Sequence, residues 1–288
     1  MSITKKVIGV YGAGSDYWVG DGFPVRNLFP STGVDANPFL MLDYAGPAAF
    51  GPSSKPRGVD QHPHRGFETV TIAYQGSVDH RDSAGNAGTI QEGDVQWMTA
   101  ASGVVHDEKH GQAFTEAGGT FEMVQLWVNL PKAHKMSAPR YQGITKDQIP
   151  VVQLGGGSYA RVIAGELSGI KGPAKTFTPL NVFDVHLVDG TKLALPLPEG
   201  QKSVIALLRG AVRLNGSTPV QGEAQLAALS GPGDLIEIEA TADTMLLVLS
   251  GEAIEEPVTS YGPFVMNTQD EIRQAIEDYR AGKMGQLN

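Results

Sequence analysis

The chain reads as an all-β protein built from two similar barrels in tandem, and three observations carry that reading. Short apolar, β-branched runs recur between Gly, Pro, Asn and Asp turns, as in Thr69–Tyr74, Phe121–Leu130, Tyr159–Ile163, Ser203–Leu208, Asp234–Glu239 and Met245–Leu249. Runs of that length favour strands over helices, and 36 glycines and 18 prolines in 288 residues fit a chain that turns often. A weak internal repeat is the second observation. Tyr74-Gln75-Gly76-Ser77-Val78 followed by Glu92-Gly93-Asp94-Val95 resembles Leu208-Arg209-Gly210-Ala211-Val212 followed by Pro232-Gly233-Asp234-Leu235. The third is a single short helix at the end. Thr268-Gln269-Asp270-Glu271 is a capping box, in which the threonine accepts from a backbone N–H and the glutamate reaches back. Ile272, Ala275, Ile276 and Tyr279 then share one face, and Gly282 ends the helix.

The segment Ser83–Gly88 reads as a hairpin connection. Leu130–Pro150 is polar, carries three prolines and reads as an interdomain connection. The expected division is therefore a first domain over 1–133, a linker over 134–150 and a second domain over 151–288 that ends in the helix at about 268–281.

Composition narrows the function. A formal net charge of −9 and no basic run longer than Lys5-Lys6 disfavour direct nucleic-acid binding. The chain has no cysteine, which removes disulfides, thiolate metal sites and thiol catalysis. No apolar stretch approaches the roughly 20 residues that span a bilayer, and the first residues lack a signal-peptide apolar region. A cytoplasmic protein with no membrane partner is the expectation.

Two compact motifs concentrate the chemistry: His62-Pro63-His64-Arg65-Gly66-Phe67-Glu68 and Gly103-Val104-Val105-His106-Asp107-Glu108. Residues two apart on a strand face the same way. His62 therefore shares a face with His64, and His106 shares one with Glu108. Adjacent strands inside a barrel would gather three imidazoles and one carboxylate. A single H-x-H pair is common in structural roles, but two same-parity pairs in one small domain point to a metal site. Imidazole with carboxylate suits iron, manganese, nickel, copper, cobalt or zinc. Four protein ligands on an octahedral ion leave two positions for substrate chemistry.

The repeat offers an internal comparison. The spacings from Gly76 and Gly93 to the four candidates, applied to Gly210 and Gly233, reach Pro196, Pro198, Leu246 and Val248. On that counting the second barrel has no ligand set.

Several residues read more plainly. His80 fits turn chemistry at a strand end. His110 could join the site, but a solvated loop position suits it better. His134 falls in the linker, and His186 falls on a polar strand face. Tyr11-Gly12-Ala13-Gly14-Ser15 lacks the third glycine and the helix of a dinucleotide loop.

The stretch His62–Val70 resembles the signature of the pirin family, as do Gly93–Ala100, Gln125–Pro131 and Gly262–Thr268. The similarity runs along almost the whole chain. It implies two tandem cupin (jelly-roll) β-barrels with a short C-terminal helix. It also implies a metal, usually iron(II), in the first barrel on His62, His64, His106 and Glu108. Ala101 stands where a glycine is usual, and Asp107 where a small residue is usual. Strand parity aims Asp107 away from the ion, unless a bulge turns it inward. Glu68 shares parity with His62 and His64 and is expected to support the site from behind.

The resemblance implies an enzyme first: a metal-dependent dioxygenase opening a flavonol such as quercetin with O₂, Glu108 acting as the base for the 3-hydroxyl. A deep apolar pocket above the ion would favour it. The alternative is a non-catalytic, iron- and redox-sensitive regulator that binds a protein partner, for which a plugged pocket would speak. A purely structural ion comes third.

Overall fold

A computed structural model describes residues 2–287. The chain is mostly β and forms two tandem cupin barrels. The contacts separate two units whose boundaries interleave along the chain. One comprises the N-terminal stretch through Ser15, Arg26–Leu40 and Asp147–Ala253; the other comprises Asp16–Val25, Met41–Lys146 and Ile254 onward. The contiguous division expected from the sequence differs at both ends, and strand pairing is the reason. The strand Val7–Gly12 hydrogen-bonds to Thr218–Leu229 and so belongs to the second barrel. The C-terminal helix packs on the first.

The first barrel contains two sheets. One has four strands in the order Gly58–His64, Val104–His110, Val78–Asp82 and Ala87–Ile90. The other has seven, centred on Phe67–Gln75 and Gly119–Asn129. Phe67–Gln75 is buried over its first seven residues, as a strand covered on both faces must be. The Ser83–Gly88 turn is the expected hairpin. The Asp82 carboxylate accepts from the backbone N–H groups of Ala84 (2.9 Å) and Asn86 (3.0 Å), which is ordinary Asx-turn chemistry. The supposed linker is only partly loop: Arg140–Ile144 is a strand paired with Val95–Thr99, and it delivers Tyr141 to the barrel.

The helix Gln269–Arg280 starts at Thr268 with the capping box formed in both directions. Ile272, Ala275 and Ile276 pack with Val105, Phe264 and Met266, and Tyr279, 38% exposed at the edge of the same face, sets its ring 6.5 Å from that of Phe264. Val105 is the outward neighbour of His106, so the helix covers the back of the His106 strand. Two buried cations fasten this C-terminal segment. Arg65 Nη1 donates to Asp278 Oδ2 at 2.9 Å. The Lys135 ammonium donates to the carbonyls of Gly66 (2.7 Å) and Val265 (3.0 Å) and to Asn129 Oδ1 (2.7 Å).

The turn that ends the His62–His64 strand depends on this packing. Gly66 has φ +90°, and a Cβ there would lie 1.9 Å from the Val265 carbonyl oxygen. Gly66→Ala is therefore expected to cost more than about 2 kcal/mol, read as a lower melting temperature with early loss of protection in the C-terminal helix. Ala101, whose carbonyl accepts from the Gly66 N–H at 2.8 Å, is held at φ +43°. That is why a glycine is usual at this place. Ala101→Gly should leave stability unchanged or raise it by up to about 1 kcal/mol, measured by denaturant unfolding.

Candidate metal centre

The two histidine strands are direct neighbours. His106 pairs across the ladder with His62, and Val104 pairs with His64. The alternation of the pleat then puts all three imidazoles on one side. Ring centroids are 4.2 Å apart for His62 and His106, and 4.9 Å apart for both His62–His64 and His64–His106. One nitrogen from each lies within 4.8 Å of the others, which forms a group able to hold a metal ion.

Glu108 enters through a second group, His80–His106–Glu108, with the same 4.8 Å limit. The two groups share His106. Between His106↔His62 and Glu108↔Val59 the ladder shifts register. The extra residue lies on the His62 strand, so Asp107 keeps its outward direction. It forms a two-pronged ion pair with Arg81, at 2.9 Å from Nε and 2.7 Å from Nη2. Thr71, from the opposite sheet, donates to Gln125 Oε1 at 2.7 Å and lies 3.3 Å from Glu108 Oε1. The centre thus lies inside the barrel, between its sheets.

The chemistry of these groups fits an ion. His64 Nδ1 and His106 Nε2 are buried with no hydrogen-bond partner. Burial pushes the pKa of both histidines well below the ordinary imidazole value, so each is neutral and keeps a lone pair. His62 Nδ1 donates to the Asp60 carbonyl at 2.8 Å, which leaves its Nε2 free to ligate.

Three sequence readings change here. His80 lies near a strand end beside the hairpin, as expected, but it does more than turn chemistry: it is 3% exposed, stacks on Tyr141 and contacts His106. What hid it is the hairpin: His80 directly faces Glu108 across the ladder, and pairing between strands cannot be read from spacing along the chain. His110 is neither a ligand nor solvated. It is 2% exposed, donates from Nε2 to the Gly22 carbonyl at 2.9 Å and stacks on Phe121. Glu68 does not share a strand with His62 and His64, because the chain turns at Arg65-Gly66 and a new strand starts at Phe67. Its carboxylate accepts from Thr99 Oγ1 at 2.7 Å and lies 3.6 Å from Arg140, away from both metal-capable groups. Elsewhere, His134 ends a short 3₁₀ turn, half-buried. His186 stacks on Tyr159 and pairs with Asp184.

The second barrel has the same ladder without the chemistry. Leu195 faces Ile236 as His62 faces His106, and Leu214 faces Ile238 as His80 faces Glu108. The Leu197 N–H bonds to the Asp234 carbonyl, which places Leu197 at the rung of His64. Leu195, Leu197, Leu214, Ile236 and Ile238 all belong to one buried apolar cluster. The counting from Gly233 had landed one strand too far, on Leu246 and Val248. The conclusion that the ligand set is missing stands, with different residues carrying it.

A cavity of about 420 Å³ opens onto the centre. Its wall includes His62, His64 and Glu108, and is otherwise mostly apolar: Val19, Phe23, Val25, Met41, Met123 and Trp127. Tyr17, 40% exposed, stands at the mouth and donates to Asp43 at 2.5 Å. The wall contains no lysine or arginine.

Tandem jelly-rolls with a histidine-rich centre in one barrel and an apolar plug in the other define a bicupin with, among the described residues, one candidate metal centre. The family models agree: Pirin matches residues 22–128 and the Pirin C-terminal cupin domain matches residues 182–285. The chain belongs to the pirin family. It is 53% identical over 282 residues to a Pseudomonas aeruginosa protein provisionally named a quercetin 2,3-dioxygenase, covering 97% of this chain and 98% of that one. It is 39% identical to mouse pirin, covering 86% of this chain and 83% of that one. A crystal structure titled quercetin 2,3-dioxygenase from Acinetobacter baumannii superposes with a TM-score of 0.96 at 51% identity, covering 99% of this chain and 100% of that one.

Glu68 supplies a pH test of this layout. Burial raises its carboxyl to about 7, above the ordinary 4.5, despite the Thr99 hydrogen bond. The folded state therefore holds the proton more tightly than the unfolded state. The stabilising contribution is complete below about pH 4.5 and is lost as pH rises through about 7. The span is worth at most about 3 kcal/mol. Glu68→Gln, which keeps an acceptor for Thr99, should gain stability relative to the parent between pH 5 and pH 8 in thermal melts. A constant difference across that range would contradict the assignment.

Proposed function

We propose that this protein is an iron-dependent dioxygenase that opens a flavonol such as quercetin, with His62, His64, His106 and Glu108 as the ligands of the ion. One observation carries the reading. The mostly apolar cavity leads directly to His62, His64 and Glu108, so an aromatic substrate that fills it presents its edge to the metal-binding groups. The names of the close relatives point to the same substrate class.

When bound, the ion supplies Lewis-acid chemistry that lowers the pKa of a coordinated hydroxyl. The side chains do the rest. Phe23, Val25, Met123 and Trp127 line the wall against which the flat rings pack. Without lysine or arginine there, an anionic substrate finds no counter-charge, whereas a neutral polyphenol can donate to Asp43 and Gln125. Glu108 is the acceptor closest to the chemistry and takes the proton of the 3-hydroxyl. The Thr71 hydroxyl, on the opposite sheet, lies 3.3 Å from Glu108 Oε1. The cavity is open, not plugged, which favours the enzyme over the regulator.

The test is oxygen uptake and flavonol bleaching with iron-loaded protein, alongside metal content. His64→Ala and His106→Ala should each lower both metal content and turnover by at least about 100-fold. Glu108→Gln should retain much of the metal yet lose most of kcat. Full turnover in His64→Ala would end the proposal.

A further inference from the structure

His106 is the one residue common to both metal-capable groups, and its two ring nitrogens meet different partners. Nε2 is buried without a hydrogen-bond partner, which makes it the nitrogen available to an ion shared with His62 and His64. Nδ1 lies 3.3 Å from His80 Nδ1. On the far side of that ring, His80 Nε2 lies 3.3 Å from Asp82 Oδ2. The Asp82 carboxylate is itself fixed by the Ala84 and Asn86 backbone N–H groups and by Asn86 Nδ2, at 2.9–3.1 Å. Tyr141 stacks on His80, with ring planes 22° apart. His106, His80 and Asp82 are 0%, 3% and 6% exposed, so water does not compete for these contacts.

We infer that His80 and Asp82 are positioning residues that hold His106 in the one tautomer able to bind the ion. A neutral imidazole has one N–H. If Nε2 is to donate its lone pair to a metal, the proton must lie on Nδ1. That proton then needs an acceptor, and His80 Nδ1 is the atom in place. His80 can accept there only if its own proton lies on Nε2, where the Asp82 carboxylate accepts it. The fixed acceptor at the end therefore sets the direction of every hydrogen bond in the row. The reversed order would put a proton on His106 Nε2 and aim it at the ion. The second barrel agrees with a role tied to the metal: where the ligand positions become Leu195, Ile236 and Ile238, the His80 position becomes Leu214.

The inference rests on His106 being a ligand, and the experiment separates the two. Co(II) and Fe(II) affinities are measured by chelator competition in the full-length protein, with the Co(II) absorption spectrum as a report on the ligand set. His80→Leu is expected to weaken binding 10- to 100-fold at an unchanged stoichiometry. His80→Gln, whose amide oxygen can accept from His106 Nδ1–H, should recover most of that loss. Should His80→Leu fail to fold, Asp82→Asn gives the same reading, since it keeps a side-chain oxygen for the turn while removing the charge. In the metal-free parent, long-range ¹H–¹⁵N spectra should show His106 protonated on Nδ1 and His80 on Nε2. An unchanged affinity in these variants, or a metal-free His106 protonated on Nε2, would overturn the inference. So would a Co(II) spectrum showing that His80 itself is a ligand. If His62→Ala binds the ion as tightly as the parent, the ligand assignment fails and takes this inference with it.

Discussion

The rung that joins His62 to His106 is the contact on which the rest of the site depends. Once these two residues face each other across an antiparallel ladder, pleat geometry decides everything nearby. His64 follows on the same face two residues along one strand, Glu108 two along the other, and His80 comes opposite Glu108 from the third. The interior of the barrel removes water, which keeps His64 and His106 neutral and leaves their lone pairs without a hydrogen-bonding partner. Unpaired buried nitrogens are costly in a folded protein. An ion bound there offsets that cost, and by mass action it stabilises the barrel as well.

The second barrel shows what the same ladder does when no such cost is taken on. At the matching rungs it carries leucine and isoleucine, packed into one apolar cluster. Both solutions fill a jelly-roll interior. One yields a core that only packs, and the other trades packing for a buried cluster of polar groups and needs extra support. Much of that support comes from outside the sheet: the C-terminal helix on Val105, and the buried Arg65 and Lys135 cations that tie the Arg65-Gly66 turn to the C-terminal segment.

The sequence carried a large part of this. Period-two spacing placed His62 with His64 and His106 with Glu108, because parity along a strand is local. The capping box located the helix for the same reason. What the sequence hid was partnership between distant segments. His80 looked like a turn residue because nothing along the chain tells that its strand lies against the His106 strand. Glu68 looked like a neighbour of His64 because one left-handed glycine, Gly66, was enough to break the parity between them. The repeat was visible, but its register was not. The rungs Leu195↔Ile236 and Leu214↔Ile238 had to be seen before the lost ligands could be placed.

X-ray absorption on freshly purified, unsupplemented protein goes to the centre of the account. It reports which ion is present and what surrounds it, without reliance on a chosen substrate. The account predicts one ion per chain, iron, with three imidazole nitrogens and at least one oxygen at about 2.0–2.2 Å. Protein that carries no ion, or an ion whose shell lacks the imidazole signature, would contradict it.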